Sequence, residues 1–154
     1  MSIAESLKGG RVVIGVTGSS KAEIIRNLLR RVEEKGIVSD LEGLVQAFLE
    51  REAKGSTGIG NGIAIPHVRS DQVQELEYVL GNSAEGVDFE SLDGEPVHII
   101  FLMIAPAGSH GVHIKALARV SRILNDEALR LRLRRAEDPD EVVRLIAERE
   151  EEFD

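Results

Sequence analysis

An α/β fold is what this sequence predicts, and three observations carry that expectation. The run Val97-His98-Ile99-Ile100-Phe101-Leu102-Met103-Ile104-Ala105 is apolar at nearly every position. A strand with both faces apolar belongs at the centre of a sheet covered on both sides. Shorter strand-like runs alternate along the chain with segments of helical apolar period. The composition suits one domain with a real core over residues 1–154, ordered from about 11 to 147: of 154 residues, 42% are hydrophobic and 30% charged. Aromatic residues make up only 3%, so that core must be built mainly from Leu, Ile, Val and Ala.

Taken in order, Arg11 to Val16 reads as a first strand. Ser20 and Glu23 then form a capping-box pattern, and Ile24, Ile25, Leu28, Leu29 and Val32 give a helical apolar face ending near Gly36. Ser39 and Glu42 repeat the capping pattern. Leu41, Leu44, Val45 and Phe48 continue it as a second helix to about Lys54. Glycines at 55, 58, 60 and 62 make a polar loop, followed by a short strand at Ile63-Ala64-Ile65 that Pro66 stops. Residues 68–72 read as a polar loop, 76–80 as a strand, and 87–89 as a short extended piece. After the central strand, Ile114, Leu117, Ala118, Ser121 and Leu124 set a helical period. A short Arg-rich helix spans 126–135, and Asp138-Pro139-Asp140-Glu141 starts a last one, with the end from Glu148 frayed.

Charge and composition exclude several functions. A net charge of −8 argues against nucleic acid as a partner, and the arginines at 130, 132, 134 and 135 read as a solvated helix end. The absence of cysteine removes disulfides, thiol nucleophiles and thiolate metal sites. No stretch is long and apolar enough for a signal peptide or a membrane span, so membrane insertion is not expected and a cytoplasmic location is. Gly15 to Lys21 lacks the spacing of a phosphate-binding P-loop, and Gly58 to Ile63 lacks that of a dinucleotide loop. There is no G-x-S-x-G for a serine hydrolase and no H-E-x-x-H for a zinc enzyme. No metal and no cofactor are expected.

One constellation survives. Four histidines are present, at 67, 98, 110 and 113. His98 interrupts the central strand near its start and reads as a core or strand-end histidine with a hydrogen-bond partner. His67 stands directly after Pro66, so its imidazole is presented at a rigid strand end beside the glycine loop. A neutral imidazole nitrogen is a competent nucleophile toward phosphorus. Phosphoryl transfer asks the protein mainly for positioning and charge stabilisation. Arg51, at the end of the second helix, and His113, in the first turn of a later one, could supply the charge, and the loop amides an anion cradle. Residue types alone favour a tight turn with an incidental histidine over this site, because glycine-rich loops are common.

The segment from Leu49 to His67, with Asn61-Gly62-Ile63-Ala64-Ile65-Pro66-His67 at its end, resembles the active-site stretch of enzyme IIA domains of the bacterial phosphoenolpyruvate-dependent phosphotransferase system. The similarity is to the fructose/mannitol class, nearest to its nitrogen-regulatory branch. Residues 113–124 resemble that family's second histidine helix. The resemblance implies a single mixed β-sheet flanked by helices on both faces. It implies that His67 accepts a phosphoryl group from the phosphocarrier HPr or a paralogue, with Arg51 and His113 around it and Gly58, Gly60, Asn61 and Gly62 as a phosphate loop. The group would pass to a separate enzyme IIB or serve as a regulatory mark. A regulatory binding module controlled by, or no longer using, phosphorylation is the alternative. An apolar rim of Ile59, Ile63 and Val68 is the expected encounter surface.

Overall fold

The computed structural model describes residues 2–153. A six-stranded mixed sheet carries helices on both faces, as expected. Strand β6 (Val97–Pro106) is its centre. One edge of β6 pairs antiparallel with β5 (Glu77–Val87), which pairs parallel with β1 (Val12–Val13). The other edge takes two short strands end to end, both parallel to it. These are β3 (Ile63–Ala64) against Ile99 and Ile100, and β4 (His67–Ser70) against Met103 to Pro106. Strand β2 (Gly58–Gly60) closes the edge as a hairpin with β3.

The alternation of β6 explains the two cores. Ile99, Phe101 and Met103 face one layer, formed by α1 (Ile3–Ser6), α4 (His110–Leu124), α5 (Glu127–Arg135) and α6 (Pro139–Glu151). Ile100, Leu102 and Ile104 face the other, formed by α2 (Lys21–Glu33) and α3 (Leu41–Ala53). Gly81, on β5, leaves room for Val16 and for Leu28 of α2: a Cβ there would lie 2.2 Å from the first and 2.8 Å from the second.

Several elements depart from the sequence reading. The first strand shrinks to two residues, while the strand expected to end near residue 80 runs on as β5 to Val87. The stretch after Pro66 is a strand, because its amides and carbonyls lie in register along β6. Helix α3 is capped by Asp40 rather than Ser39, and α2 by Ser20, but the Glu23 carboxylate reaches the Ser19 amide instead of closing a box on Ser20. Helix α6 holds to Glu151. The Glu150 carboxylate is buried and accepts from the amides of Ile3 (3.0 Å) and Ala4 (2.8 Å), so it caps α1 from the far end of the chain. No helix among the described residues is long and apolar enough to cross a membrane.

The glycine-rich stretch has a simpler explanation than an anion cradle. Gly60 opposes Ile63, leaving Asn61 and Gly62 as a two-residue loop with φ of 59° and 74°. Two consecutive positive φ values define the hairpin turn for which Asn-Gly is the preferred pair. Gly58 and Gly60 sit within the paired strand. A Cβ on Gly58 would lie 2.9 Å from the Ser91 backbone, so bare glycine is required there.

Candidate functional site

Three elements converge where β4 begins. Helix α3 contributes Glu50 and Arg51 from its last turn, with Lys54 capping it. Strand β4 contributes His67, Val68 and Arg69, and the first turn of α4 contributes His113. They line an open depression of about 390 Å³. The placement follows from local structure. Pro66 ends β3, its carbonyl accepts from Met103 (2.9 Å), and this holds the chain on the edge of β6 as His67 opens β4.

His67 is half-buried, and its Nδ1 lies 2.6 Å from the carbonyl oxygen of Ile65. A carbonyl can only accept, so Nδ1 carries the proton. In the neutral ring the lone pair is then on Nε2, which has no hydrogen-bond partner among the described residues. The His113 ring stands edge-on to it, with centroids 5.4 Å apart at 86°. Burial, and then the charges of His67, Arg69 and His110, hold the His113 imidazole below the ordinary histidine value of 6.5. His113 is therefore neutral at pH 7 until negative charge enters the pocket.

The cations are arranged around these rings. Arg51 donates through Nη1 to the Gly55 carbonyl (2.9 Å), which orients its guanidinium and leaves other N–H groups to donate. Arg69 hydrogen-bonds through Nη1 to Nε2 of His110, which must then accept. Among the described residues, neither Arg51, Lys54 nor Arg69 is paired with a carboxylate. Ser109 does not cap α4: its hydroxyl turns back to the Pro106 carbonyl (2.6 Å), leaving the helix's first amides uncapped. A helix N-terminus so left favours an anion. The depression is thus a cationic spot on a chain of net charge −8.

The structure brings together His67, Arg51 and His113. It does not bring the hairpin turn to them. His67 opposes Met103 and Ile63 opposes Ile99, so four residues of β6 separate the two, roughly 13 Å at the rise of a strand. Asn61 and Gly62 line a different depression beside His98, and Gly58 and Gly60 pair within β2. The sequence reading missed Arg69 and Lys54. Period-two alternation was the available signal for Arg69, since two residues on from His67 along a strand lies on the same face. The expected apolar rim is also displaced. Ile63 and Val68 are buried in the two cores and Ile59 is on β2, whereas the exposed apolar side chains flanking His113 are Val112 and Ile114.

The His113 geometry gives a direct prediction. Its imidazole should titrate below 6.5 by nitrogen NMR, and a phosphoryl group on His67 should move it upward, because a nearby dianion favours the imidazolium. A value that does not rise on phosphorylation would place the two rings in separate environments.

Fold and pocket define a class: a mixed-sheet domain with one half-buried imidazole among cations that no carboxylate of the described residues pairs. The profile described as "Phosphoenolpyruvate-dependent sugar phosphotransferase system, EIIA 2" matches residues 5–149, and the chain belongs to this family. It is 36% identical over 146 residues to the fructose-specific EIIABC component of Bacillus subtilis, covering 95% of this chain but only 23% of that protein. It is 35% identical over 130 residues to the fructose-specific EIIA component of Haloferax volcanii, covering 84% of each. Among solved structures, the nitrogen regulatory protein IIA-Ntr of Neisseria meningitidis superposes with a TM-score of 0.85 at 26% identity, over 94% of this chain and 98% of that one. The Escherichia coli mannitol enzyme IIA, solved in complex with phosphorylated enzyme IIB, gives 0.78 at 27% identity, over 92% and 97%.

Proposed function

We propose that this chain acts as one cytoplasmic domain that carries a phosphoryl group on Nε2 of His67. The donor is a phosphohistidine of an HPr-like carrier protein. Its N–P bond breaks as the Nε2–P bond of His67 forms, so the phosphoryl group moves between two imidazoles with no water consumed. The observation that carries this reading is the Nδ1–H bond to Ile65, which holds the tautomer with its lone pair on Nε2. Charge on the transferring group falls on Arg51 and Arg69, which line the same depression as His67, and on the amides opening α4. Once the phosphate is in place, His113 gains a proton and pairs with it.

Val112 and Ile114, 52% and 65% exposed, supply apolar contact for the carrier beside the pocket. The acceptor is an enzyme IIB domain or a regulatory target. The superposition on IIA-Ntr supports the regulatory reading, in which the phosphate changes which protein is held, and the identity to fructose-specific components supports transfer to enzyme IIB. Intact mass after incubation with phosphoenolpyruvate, enzyme I and HPr tests the proposal. One acid-labile phosphoryl group per chain is the expected result. No gain of mass, with HPr itself phosphorylated, would turn the reading to a binding module that no longer uses phosphate.

A further inference from the structure

The second depression, of about 270 Å³, lies at the opposite end of β6 and plays no part in the chemistry of His67. Its walls are the Asn61-Gly62 turn, the His98 ring, and the face of α5 that carries Arg130 and Arg134. These two arginines are four residues apart, so they project side by side. Each guanidinium is fixed by one backbone carbonyl: Arg130 Nη1 donates to Leu124 (2.9 Å) and Arg134 Nε to Ala84 (2.9 Å). The remaining N–H groups of each fork have no protein acceptor among the described residues. Neither arginine is in an ion pair there, although Glu127 lines the same depression. Two adjacent, immobilised, unneutralised guanidinium groups repel one another, and both side chains are only partly exposed.

His98 completes the arrangement. Its ring is held between two glycines: a Cβ on Gly62 would lie 3.2 Å from Cδ2, and one on Gly86 2.9 Å from Cε1. Nδ1 donates to the Ser83 carbonyl at 2.8 Å, which leaves Nε2 without a protein partner among the described residues. The hydrogen-bonding state is the same as that of His67. Helix α5 is itself pinned to the sheet, since Asn82 donates through Nδ2 to the carbonyls of Leu133 (2.8 Å) and Ala136 (2.9 Å). The arginines therefore stand on a rigid element.

We propose that this depression is a second anion site, which binds the dianionic phosphate group of a small molecule between Arg130 and Arg134. Planar guanidinium forks match phosphate oxygens two at a time, which a lysine cannot do. The depression is open to solvent, and its volume of about 270 Å³ admits a phosphate group with part of the small molecule that bears it. The exposed carboxamide of Asn61 flanks the bound group and can donate to it. The site does not depend on the role assigned to His67.

The test uses the full chain, labelled with nitrogen-15 and titrated with inorganic phosphate at constant ionic strength. Saturable shifts of the Gly62 amide and the His98 ring, with a millimolar midpoint, are expected. Arg134→Gln should weaken that midpoint roughly ten-fold, since one charge-assisted pair is lost. Glu127→Gln, at an exposed position, should tighten it roughly two-fold by removing the one carboxylate in the depression. A phosphate response confined to His67 and Val68 would overturn the proposal, as would an Arg134→Gln midpoint equal to wild type. Should Arg134→Gln fail to fold, an unchanged midpoint in Glu127→Gln would overturn it in the same way.

Discussion

His67→Gln keeps the fold and takes phosphoryl acceptance from the carrier to background, a loss on the order of 10⁴-fold or more for a removed nucleophile. The variant is chosen so that only the chemistry changes. A glutamine amide can still donate to the Ile65 carbonyl, and its volume fills the half-buried position at the head of β4. Unfolding in urea should therefore match wild type closely, while radiolabel transfer from phosphorylated HPr disappears. Retained labelling would show that another histidine is the acceptor. His113 would be the first to examine, as its ring is 5.4 Å from that of His67.

The second large effect is structural and lies under the pocket. Glu52, the residue after Arg51, is buried with its side chain 3% exposed. Its carboxylate accepts from Lys21 Nζ (2.9 Å), from the Thr57 amide (3.1 Å) and from the Thr57 hydroxyl. Lys21 is nearly as buried, lies over the Phe89 ring, and has one further acid within 4 Å, the mostly exposed Glu90 at 3.7 Å. Removing the carboxylate strands a buried cation and two donors, which costs about 3 kcal/mol. Glu52→Ala is thus expected to lower the unfolding free energy by that amount in urea. The turn that begins at Gly55, whose carbonyl orients Arg51, loosens with it. Transfer to His67 should slow by roughly ten-fold, because small misplacements of a charge-stabilising group are costly. Glu52→Gln, which still accepts from Thr57, should lose about half as much. Equal stability of Glu52→Ala and wild type would mean that Lys21 finds another partner.

How much of this was legible in the sequence depends on how local the cause is. The two-sided apolar run of β6 and the caps of α2 and α6 announce themselves, because periodicity and capping are local. Strand β4 does not. Val68, Arg69 and Ser70 read as part of a polar loop, and only the register against Ile104 to Pro106 makes them a strand. With that strand unseen, Arg69 was unseen as well. The four residues of α1 depend on a carboxylate 146 positions away, which no window of sequence contains. The glycine stretch was misread for a different reason. Asn-Gly between Gly60 and Ile63 is a strong local hairpin signal, and its nearness to His67 in sequence outweighed its distance along β6.

The functional reading was carried by the resemblance around Asn61 to His67 more than by residue chemistry, since glycines followed by a histidine fit an ordinary turn. The structure adds what that resemblance could not supply: a tautomer. One hydrogen bond separates the two ring nitrogens, and the proposed chemistry rests on it.

The most direct test is to phosphorylate the nitrogen-15-labelled chain and record long-range proton–nitrogen correlations of the His67 ring together with the phosphorus spectrum. The account predicts phosphate on Nε2, with Nδ1 still protonated and bound to the Ile65 carbonyl. Phosphate on Nδ1 would contradict it, because that nitrogen would first have to give up its proton and its hydrogen bond.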